Sequence, residues 1–235
     1  AGSDMQRYTA RFRMDYQARK WLKIGANLSY SNFDWNNGNS DEGEGASSAN
    51  VFSVASMMAP IYPLYVRDAS GQIMTEDGRT VYDANQTGFI RPAFVGNAVR
   101  DNEVNQKQTY ADVITGKWGA ILTPVEGLTL TANVGLTNEN SRYNALYSQF
   151  GSQSATDGLA YVSSTRYFAV NTQYLAEYKT DFDGSRHNLG VLTGYELYKM
   201  KEQFIEGEND HLYNPYVGEL GNADGTKAKK TSSYT

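Results

Sequence analysis

The stretch RYTARFRMDYQARKWLKIGANLSYS, residues 7–31, decides the fold class of this chain. Its residues alternate in polarity with a period of two on both sides of a short turn, which is the pattern of β-strands and not of a helix. One parity carries Tyr8, Ala10, Phe12, Met14, Tyr16 and then Leu22, Ile24, Ala26, Leu28, Tyr30. Each run is about 10 residues long with aromatic ends, as in a tilted strand that crosses a membrane. The stretch therefore predicts a hairpin of an outer-membrane β-barrel.

The overall composition is compatible with such strands and excludes several other classes of protein. The 235 residues include 18 Tyr, 22 Gly and no Cys, and the mean hydropathy is −0.57. No window approaches the roughly 20 apolar residues of a membrane-spanning helix. Without Cys there is neither a disulfide framework nor a thiolate metal site. The net charge of −5 argues against a nucleic-acid-binding protein.

The same alternation returns twice further along the chain. Residues 128–136 read LTLTANVGL and match residues 22–30, LKIGANLSY, in the position of every apolar side chain. In a third hairpin, Phe168, Val170 and Tyr174 share one parity and Asp183-Gly184 marks the turn. The recurrence favours a repeating barrel wall over a single amphipathic hairpin.

We therefore predict an all-β fold of about six antiparallel strands in three hairpins, with long loops between and after them. The expected strands cover about residues 6–16, 21–32, 107–122, 128–140, 167–180 and 187–203, and the long loops cover 33–106, 141–160 and 206–235. Outer-membrane barrels have short periplasmic turns and long extracellular loops. The three long loops are accordingly assigned to the cell exterior.

The first long loop is expected to contain structure of its own, because a structureless loop of that length is uncommon in a compact domain. The turn signals Asp68-Ala69-Ser70-Gly71 and Glu76-Asp77-Gly78 predict a small surface hairpin over residues 65–81. Residues 51–58 are compatible with a short helix.

Six strands are too few to close this barrel. At about 4.8 Å between strands and roughly 40° of tilt, six strands give a diameter of about 12 Å. The inward parity carries long charged residues such as Arg11, Arg13, Lys23 and Glu177, which need a wide wet interior or a plug. Open edges are not tolerated in lipid. We expect the barrel to be completed by chain outside this sequence.

Several short motifs, in this order along the chain, resemble the SusC/RagA-like TonB-dependent transporters of Bacteroidetes outer membranes. They are GSDMQRY at 2–8, DYQARKWLKIG at 15–25, MAPIYPLY at 58–65, TPVEGLTL at 123–130, and HNL at 187–189 with GYE at 194–196. The resemblance implies a 22-stranded barrel closed by an N-terminal plug domain. Residues 1–235 would be an early-middle part of that barrel, and the plug is absent from this chain.

The family resemblance also implies a function, a location and partners. It implies energised uptake of glycans or peptides across the cell outer membrane, without catalysis and without a cofactor. A SusD-like lipoprotein would capture the substrate, and the TonB complex would act through the missing plug. The barrel wall would contact outer-membrane lipid. No nucleic acid is expected as a partner.

Within the first long loop, the substrate or the lid lipoprotein is expected to meet four residues. They are Trp35, Tyr62, Tyr65 and Arg67. The competing interpretation for each is that it packs the loop or sits in the membrane interface.

Other interpretations remain open at the level of sequence. Asp41, Glu42 and Glu44 lack the alternating frame of a calcium loop and favour a solvated acidic segment over a metal site. The two histidines, His187 and His211, show no catalytic pattern. A passive porin-type barrel would have the same strands without TonB dependence. A soluble β-sandwich surface binding module would bury the apolar faces as an ordinary core.

Overall fold

The computed structural model describes residues 3–37, 56, 59, 61–76, 78–83, 97–151, 157–182, 184, 186–224 and 228–234. Seven of its strands form one antiparallel sheet in the order β1-β2-β5-β6-β7-β8-β9, and β3 and β4 form a separate small hairpin. The elements are β1 Ser3–Arg19, β2 Leu22–Asn37, β3 Thr75–Glu76, β4 Arg79–Thr80, α1 Ala98–Val104, β5 Gln106–Val125, β6 Leu128–Tyr147, β7 Leu159–Phe182, β8 His187–Asp210, a 3-10 turn Leu220–Asn222, and β9 Ala228–Tyr234.

The predicted fold class is confirmed: the sheet is antiparallel and contains the three expected hairpins, β1-β2, β5-β6 and β7-β8. Each hairpin closes through a tight turn, as the alternation on both sides of each turn required. None of the described residues belongs to a helix long and apolar enough to span a bilayer.

The strands are longer than predicted, and the loops expected at 141–160 and 206–235 are correspondingly shorter. β6 continues to Tyr147, β7 begins at Leu159 and β8 continues to Asp210. The ladder of β6 with β7 runs without interruption from Leu128 to Tyr147. Alternation in the sequence reveals only the part of a strand that has one apolar face. Hydrogen-bond pairing between strands continues beyond it through polar residues, so the predicted strands end too early.

A seventh strand also lies where the sequence predicted only loop. β9 pairs with the end of β8 between Phe204 and Asn209. Its sequence, AKKTSSY, has no apolar parity, so the alternation that identified the other strands could not reveal it.

The small hairpin expected at 65–81 is present as β3 and β4, with Tyr65 pairing with Tyr82 and Arg67 with Ile73. Asp68 forms its first turn by accepting from Ser70 Oγ (2.6 Å), Ser70 N (2.8 Å) and Gln72 N (2.9 Å). These bonds, the Ser70 hydroxyl first, lower the pKa of the Asp68 carboxyl below its usual range. The short helix considered at 51–58 lies outside the described residues except for Ser56.

The one cluster of buried apolar side chains among the described residues lies at one end of the sheet. Leu146, Ala160, Leu212 and Ala223 form this cluster, where residues 211–224 fold back on the ends of β6 and β7. The inner strands of the sheet also carry large apolar side chains that remain exposed, for example Trp118 (44%) on β5 and Tyr174 (51%) on β7.

Candidate functional site

The first candidate surface is the apolar face of the sheet, which we call the apolar band. Strand pairing places on one face the apolar parities of all six long strands, from Tyr8–Tyr16 on β1 to Leu189–Leu197 on β8. Soluble monomers rarely expose a contiguous apolar patch larger than a few hundred Å². Exposure of such a band across six strands is the pattern of a surface that faces lipid.

Followed along the hydrogen bonds, the upper edge of the apolar band lies lower on β8 than on β1. There is one reversal on the way: the band ends at Leu136 on β6, but on β7 it reaches Phe168, level with Ile114 of β5. The upper edge is the edge near the beginning of β1, and on that strand it is marked by Tyr8. The residues level with Tyr8 in the strand pairing, one on each following long strand, are all polar: Asn32, Asp112, Asn140, Arg166 and Gln203. On β8 the upper edge is marked by Leu197. The residues level with Leu197 in the strand pairing are Thr172, Val134, Trp118 and Ala26, and on β1 the level residue is Met14.

This descent gives the angle at which the strands would cross a membrane. Between Tyr8 and Met14 the edge has moved six residues along the strands over five inter-strand spacings. These correspond to about 20 Å along the strands and about 24 Å across them. If the edge of the band is level in the membrane, the strands tilt by roughly 40°. Transmembrane barrels tilt by about 35–45°.

On β5 the apolar parity is interrupted by one acidic residue, Asp112. Its position at the edge of the apolar band explains why an acidic side chain is tolerated there. Asp112 accepts a hydrogen bond from the Tyr30 hydroxyl (2.6 Å) and another from Asn32 Nδ2 (3.0 Å). A Tyr with its ring on the apolar side and its hydroxyl on a carboxylate is typical of a membrane–water interface.

The opposite face of the sheet is polar and carries the charged residues expected to line the interior. Arg7 Nε donates to Ser31 Oγ (3.0 Å), and Arg13 Nε lies 3.1 Å from Asp15 Oδ2. Further along, Lys179 Nζ lies 2.6 Å from Glu177 Oε1. The two ion pairs are exposed, so this face suits a wide aqueous interior.

The second candidate surface is the outer rim, formed by the described residues between 59 and 83 together with residues 97–105, 148–151 and 211–224, at the ends of the long strands. Its base is a buried polar cluster around Asn97. Asn97 Nδ2 donates to the carbonyls of Leu64 (2.9 Å) and Asp83 (3.1 Å), while its Oδ1 accepts from the first amides of α1, Val99 and Arg100. One side chain therefore caps the helix and holds both ends of the surface hairpin.

The helix is joined in turn to the barrel wall. Asn105 follows α1 and accepts a hydrogen bond from the amide of Ser148 (2.9 Å) at the end of β6. Asn105 and Ser148 are both buried. The rim is thus connected to the sheet by buried hydrogen bonds.

Residues 211–224 are organised by two asparagines. Asn222 Nδ2 donates to the carbonyls of Asn214 (2.7 Å) and Val217 (2.8 Å), and Asn214 Oδ1 accepts from the amide of Tyr216 (3.0 Å). Arg142 Nη2 of β6 lies 2.6 Å from Glu219 Oε2 and ties the same segment to the wall. The result is a fixed position for Tyr216 on the rim.

The rim contains a cavity of about 640 Å³, which we call the rim pocket. Its lining includes Arg79, Tyr82, Arg100, Glu103, Phe150 and Tyr216. The Arg79 guanidinium lies over both rings of an aromatic pair, 4.7 Å from the centroid of Phe150 and 4.9 Å from that of Tyr216. On another wall the Tyr82 hydroxyl donates to Glu103. Burial, and then this hydrogen bond, raises the pKa of Tyr82 well above its usual value.

The four residues predicted to contact substrate or lid do not line this pocket. Trp35 lies in β2 opposite Met5 and Thr109. Tyr65 packs on Tyr82 with ring centroids 5.2 Å apart, and Arg67 Nη1 donates to the Gly71 carbonyl (2.8 Å). Tyr62 donates its amide to the Ala59 carbonyl (3.1 Å) just before the hairpin. Three of the four therefore lie in or beside the surface hairpin.

Sequence reasoning missed Arg79, Phe150 and Tyr216, which come from three different segments. All three fall in stretches that the sequence assigned to the long loops, and only the tertiary fold brings them together. The turn signal Glu76-Asp77-Gly78 was the one indication, because it placed Arg79 on the return strand of a hairpin.

The two histidines of the chain lie at the two ends of β8. His187 begins β8 opposite Phe182, and His211 Nδ1 lies 3.0 Å from Asp210 Oδ1 at the end of that strand. The acidic residues Asp41, Glu42 and Glu44 lie outside the described residues.

The fold and its surfaces define a segment of an antiparallel barrel wall with a structured outer rim. No family model and no curated protein matches the chain. Solved structures do: the chain is similar to the RagAB peptide transporter, with a TM-score of 0.71 and 20% identity over 99% of this chain and 24% of that one. The RagAB peptide importer in its open-open and closed-closed states gives TM-scores of 0.68 and 0.64 at the same identity and coverage.

The likeness is one of fold, and it confirms the resemblance to the SusC/RagA-like barrel at that level. The chain spans about a quarter of the length of the chains that it matches.

Proposed function

We propose that this chain is part of the wall and outer rim of a TonB-dependent nutrient importer of the cell outer membrane. The observation that carries the proposal is the descending apolar band, whose roughly 40° slope is that of strands crossing a bilayer in a barrel. The likeness to the RagAB peptide importer supports transport as the function of the whole protein.

The whole importer would need parts beyond residues 1–235. A plug domain would close a barrel of 22 strands and couple it to the TonB complex, and a SusD-like lipoprotein would cover the rim and deliver cargo. The polar face of the sheet would line the passage. Because the similar solved structures are of a peptide importer, we place peptides ahead of glycans as the cargo.

Trp35, Tyr62, Tyr65 and Arg67 are proposed to contact the cargo or the lid. Tyr62, Tyr65 and Arg67 lie in or beside the surface hairpin of the rim. Tyr65 is half-buried against Tyr82, so its exposed edge would provide the contact.

The two alternative functions, a passive porin-type barrel and a soluble β-sandwich module, differ from an importer in different ways. A passive porin-type barrel would share the apolar band, so only energy dependence separates it from an importer. A soluble β-sandwich needs a second sheet over the apolar face, and within the described residues the seven-stranded sheet is accompanied only by the two-residue strands β3 and β4.

The test is uptake by cells that express the full-length protein containing this chain, with and without a functional TonB complex. We expect the protein in the outer-membrane fraction, a lipoprotein that co-purifies with it, and peptide uptake that disappears when TonB is removed. Uptake that continues without TonB would indicate the passive barrel. A soluble protein that associates with no membrane would indicate the β-sandwich module.

A further inference from the structure

Arg79 in the rim pocket is positioned as a binding group. Its guanidinium carbon lies 4.7 Å from the centroid of the Phe150 ring and 4.9 Å from that of Tyr216, and the two centroids are 6.3 Å apart. The two rings therefore flank the group from adjacent sides and leave its other sides uncovered by this pair. A guanidinium carries its N–H donors in its own plane.

Nothing among the described residues uses those donors. No hydrogen bond or ion pair joins the Arg79 side chain to another described residue, although Glu76 and Glu103 line the same pocket. Glu103 instead accepts from Tyr82. The second pocket arginine, Arg100, directs its Nε to Asp101 Oδ1 (3.3 Å). Among the described residues that line this pocket, Arg79 is the cation whose side chain has no hydrogen-bond or ion-pair partner in the described part of the chain.

The residues that hold the aromatic pair are themselves fixed. Phe150 follows Ser148, which is bound by buried Asn105. Tyr216 is positioned by Asn214. A guanidinium that rests against two anchored rings has less freedom to lose when a ligand binds, which favours affinity.

We propose that the rim pocket binds a carboxylate group of the imported cargo through the in-plane donors of Arg79. A guanidinium matches a carboxylate with two parallel N–H···O bonds. This inference rests on the proposed function, because it assigns the pocket to the importer's cargo. The volume of about 640 Å³ lies in the range of small-ligand sites, which favours a short acidic peptide or an acidic sugar over the surface of a partner protein.

The test measures binding to the purified full-length protein by calorimetry, using two pairs of probes. The first pair is Ala-Glu-Ala and Ala-Gln-Ala, and the second is trigalacturonate and its methyl ester. We expect at least one carboxylate probe to bind about tenfold or more tightly than its neutral partner. The pair that shows the preference identifies the source of the carboxylate.

Substitutions then connect the preference to Arg79. Arg79→Gln should abolish the preference, and Arg79→Lys should leave a reduced one because the charge stays while the planar fork is lost. Phe150→Leu should weaken carboxylate binding by removing one of the two rings that restrain the guanidinium. Arg19→Gln, the same change at a tight turn at the opposite end of the strands, is the matched control and should behave as the wild type.

Three results would overturn the inference: no preference for a carboxylate in either pair, a preference that survives Arg79→Gln, or loss of a co-purifying lipoprotein in Arg79→Gln with the preference intact. The last result would make Arg79 a lid contact. TonB-dependent uptake by the same preparations separates this failure from failure of the importer itself, because intact uptake without a carboxylate preference contradicts only the role of Arg79.

Discussion

At the scale of single residues, the tight turns show how one position can lock neighbouring hairpins together. Gly127 has φ +81°, and its carbonyl accepts a hydrogen bond from the Lys179 amide of β7 (2.8 Å). A Cβ at Gly127 would lie 2.3 Å from the Lys179 carbonyl oxygen. Gly184, in the next turn, also has a positive φ (+62°), but a Cβ there meets nothing within 4 Å.

These two glycines allow backbone strain to be separated from steric conflict. We expect Gly184→Ala to cost about 1 kcal/mol of stability from the left-handed backbone alone. Gly127→Ala should cost about 1–3 kcal/mol more, because it must also displace the backbone of β7. Thermal unfolding of the full-length protein in detergent gives both values. Equal destabilisation by the two substitutions would contradict the contact between Gly127 and β7.

A second residue-scale prediction concerns Asn97, whose side chain makes four hydrogen bonds. Asn97→Ala removes the helix cap, which alone is worth about 0.5–2 kcal/mol, and leaves the buried carbonyls of Leu64 and Asp83 with one partner fewer. Hydrogen exchange should accelerate by about tenfold at α1 and at residues 64–83, while the β5-β6 ladder keeps its protection. Asn214→Ala, which disturbs the other half of the rim, provides the comparison.

At the scale of elements, adjacent residues of one strand are expected to tolerate charge very differently. Ala26 lies inside the apolar band and Asn27 on the polar face. Arginine on the lipid face near the bilayer midplane costs about 2–4 kcal/mol. We therefore expect Ala26→Arg to reduce folding into lipid vesicles strongly, and Asn27→Arg to leave it nearly unchanged.

The comparison of Ala26 with Asn27 tests which face meets lipid. Both substitutions add the same side chain at neighbouring positions, so differences in expression or net charge cancel. Similar folding yields for the two variants would mean that neither face is specific to lipid, and the apolar band would need another explanation.

The surface hairpin gives a pH-dependent prediction at the same scale. Folding lowers the pKa of Asp68 below the ordinary 3.8, so the folded turn favours the ionised carboxylate. The stabilisation is therefore present above the unfolded pKa and is lost as the pH falls through the folded pKa. Protection of the Ser70 and Gln72 amides, relative to the β5-β6 ladder, should fall below about pH 4. Asp68→Asn should remove this pH dependence.

At the scale of the whole molecule, the sequence predicted the long strands where one face of the strand is apolar, and it did not predict strands whose residues are polar on both faces. Alternation identified all six long strands and their pairing into hairpins, because burial in lipid or core imposes a strict period of two. It could not find β9, the polar ends of β7 and β8, or the helix α1 of seven residues, all of which depend on backbone pairing and caps. The two turn signals predicted the surface hairpin, yet the contact of Arg79 with Phe150 and Tyr216 could be found only from the tertiary structure.

The polar extension of the strands sets the height of the rim above the lipid. On β6 the apolar band ends at Leu136 and the strand continues to Tyr147, with Phe150 just beyond. At the roughly 40° tilt, those residues raise the rim by about 30 Å. The Debye length at physiological ionic strength is about 8 Å, so the rim pocket stands more than three screening lengths above the charged headgroups. Its affinity for anions would be governed by its own arginines and glutamates, and would hardly respond to the charge of the lipids in which the barrel is embedded.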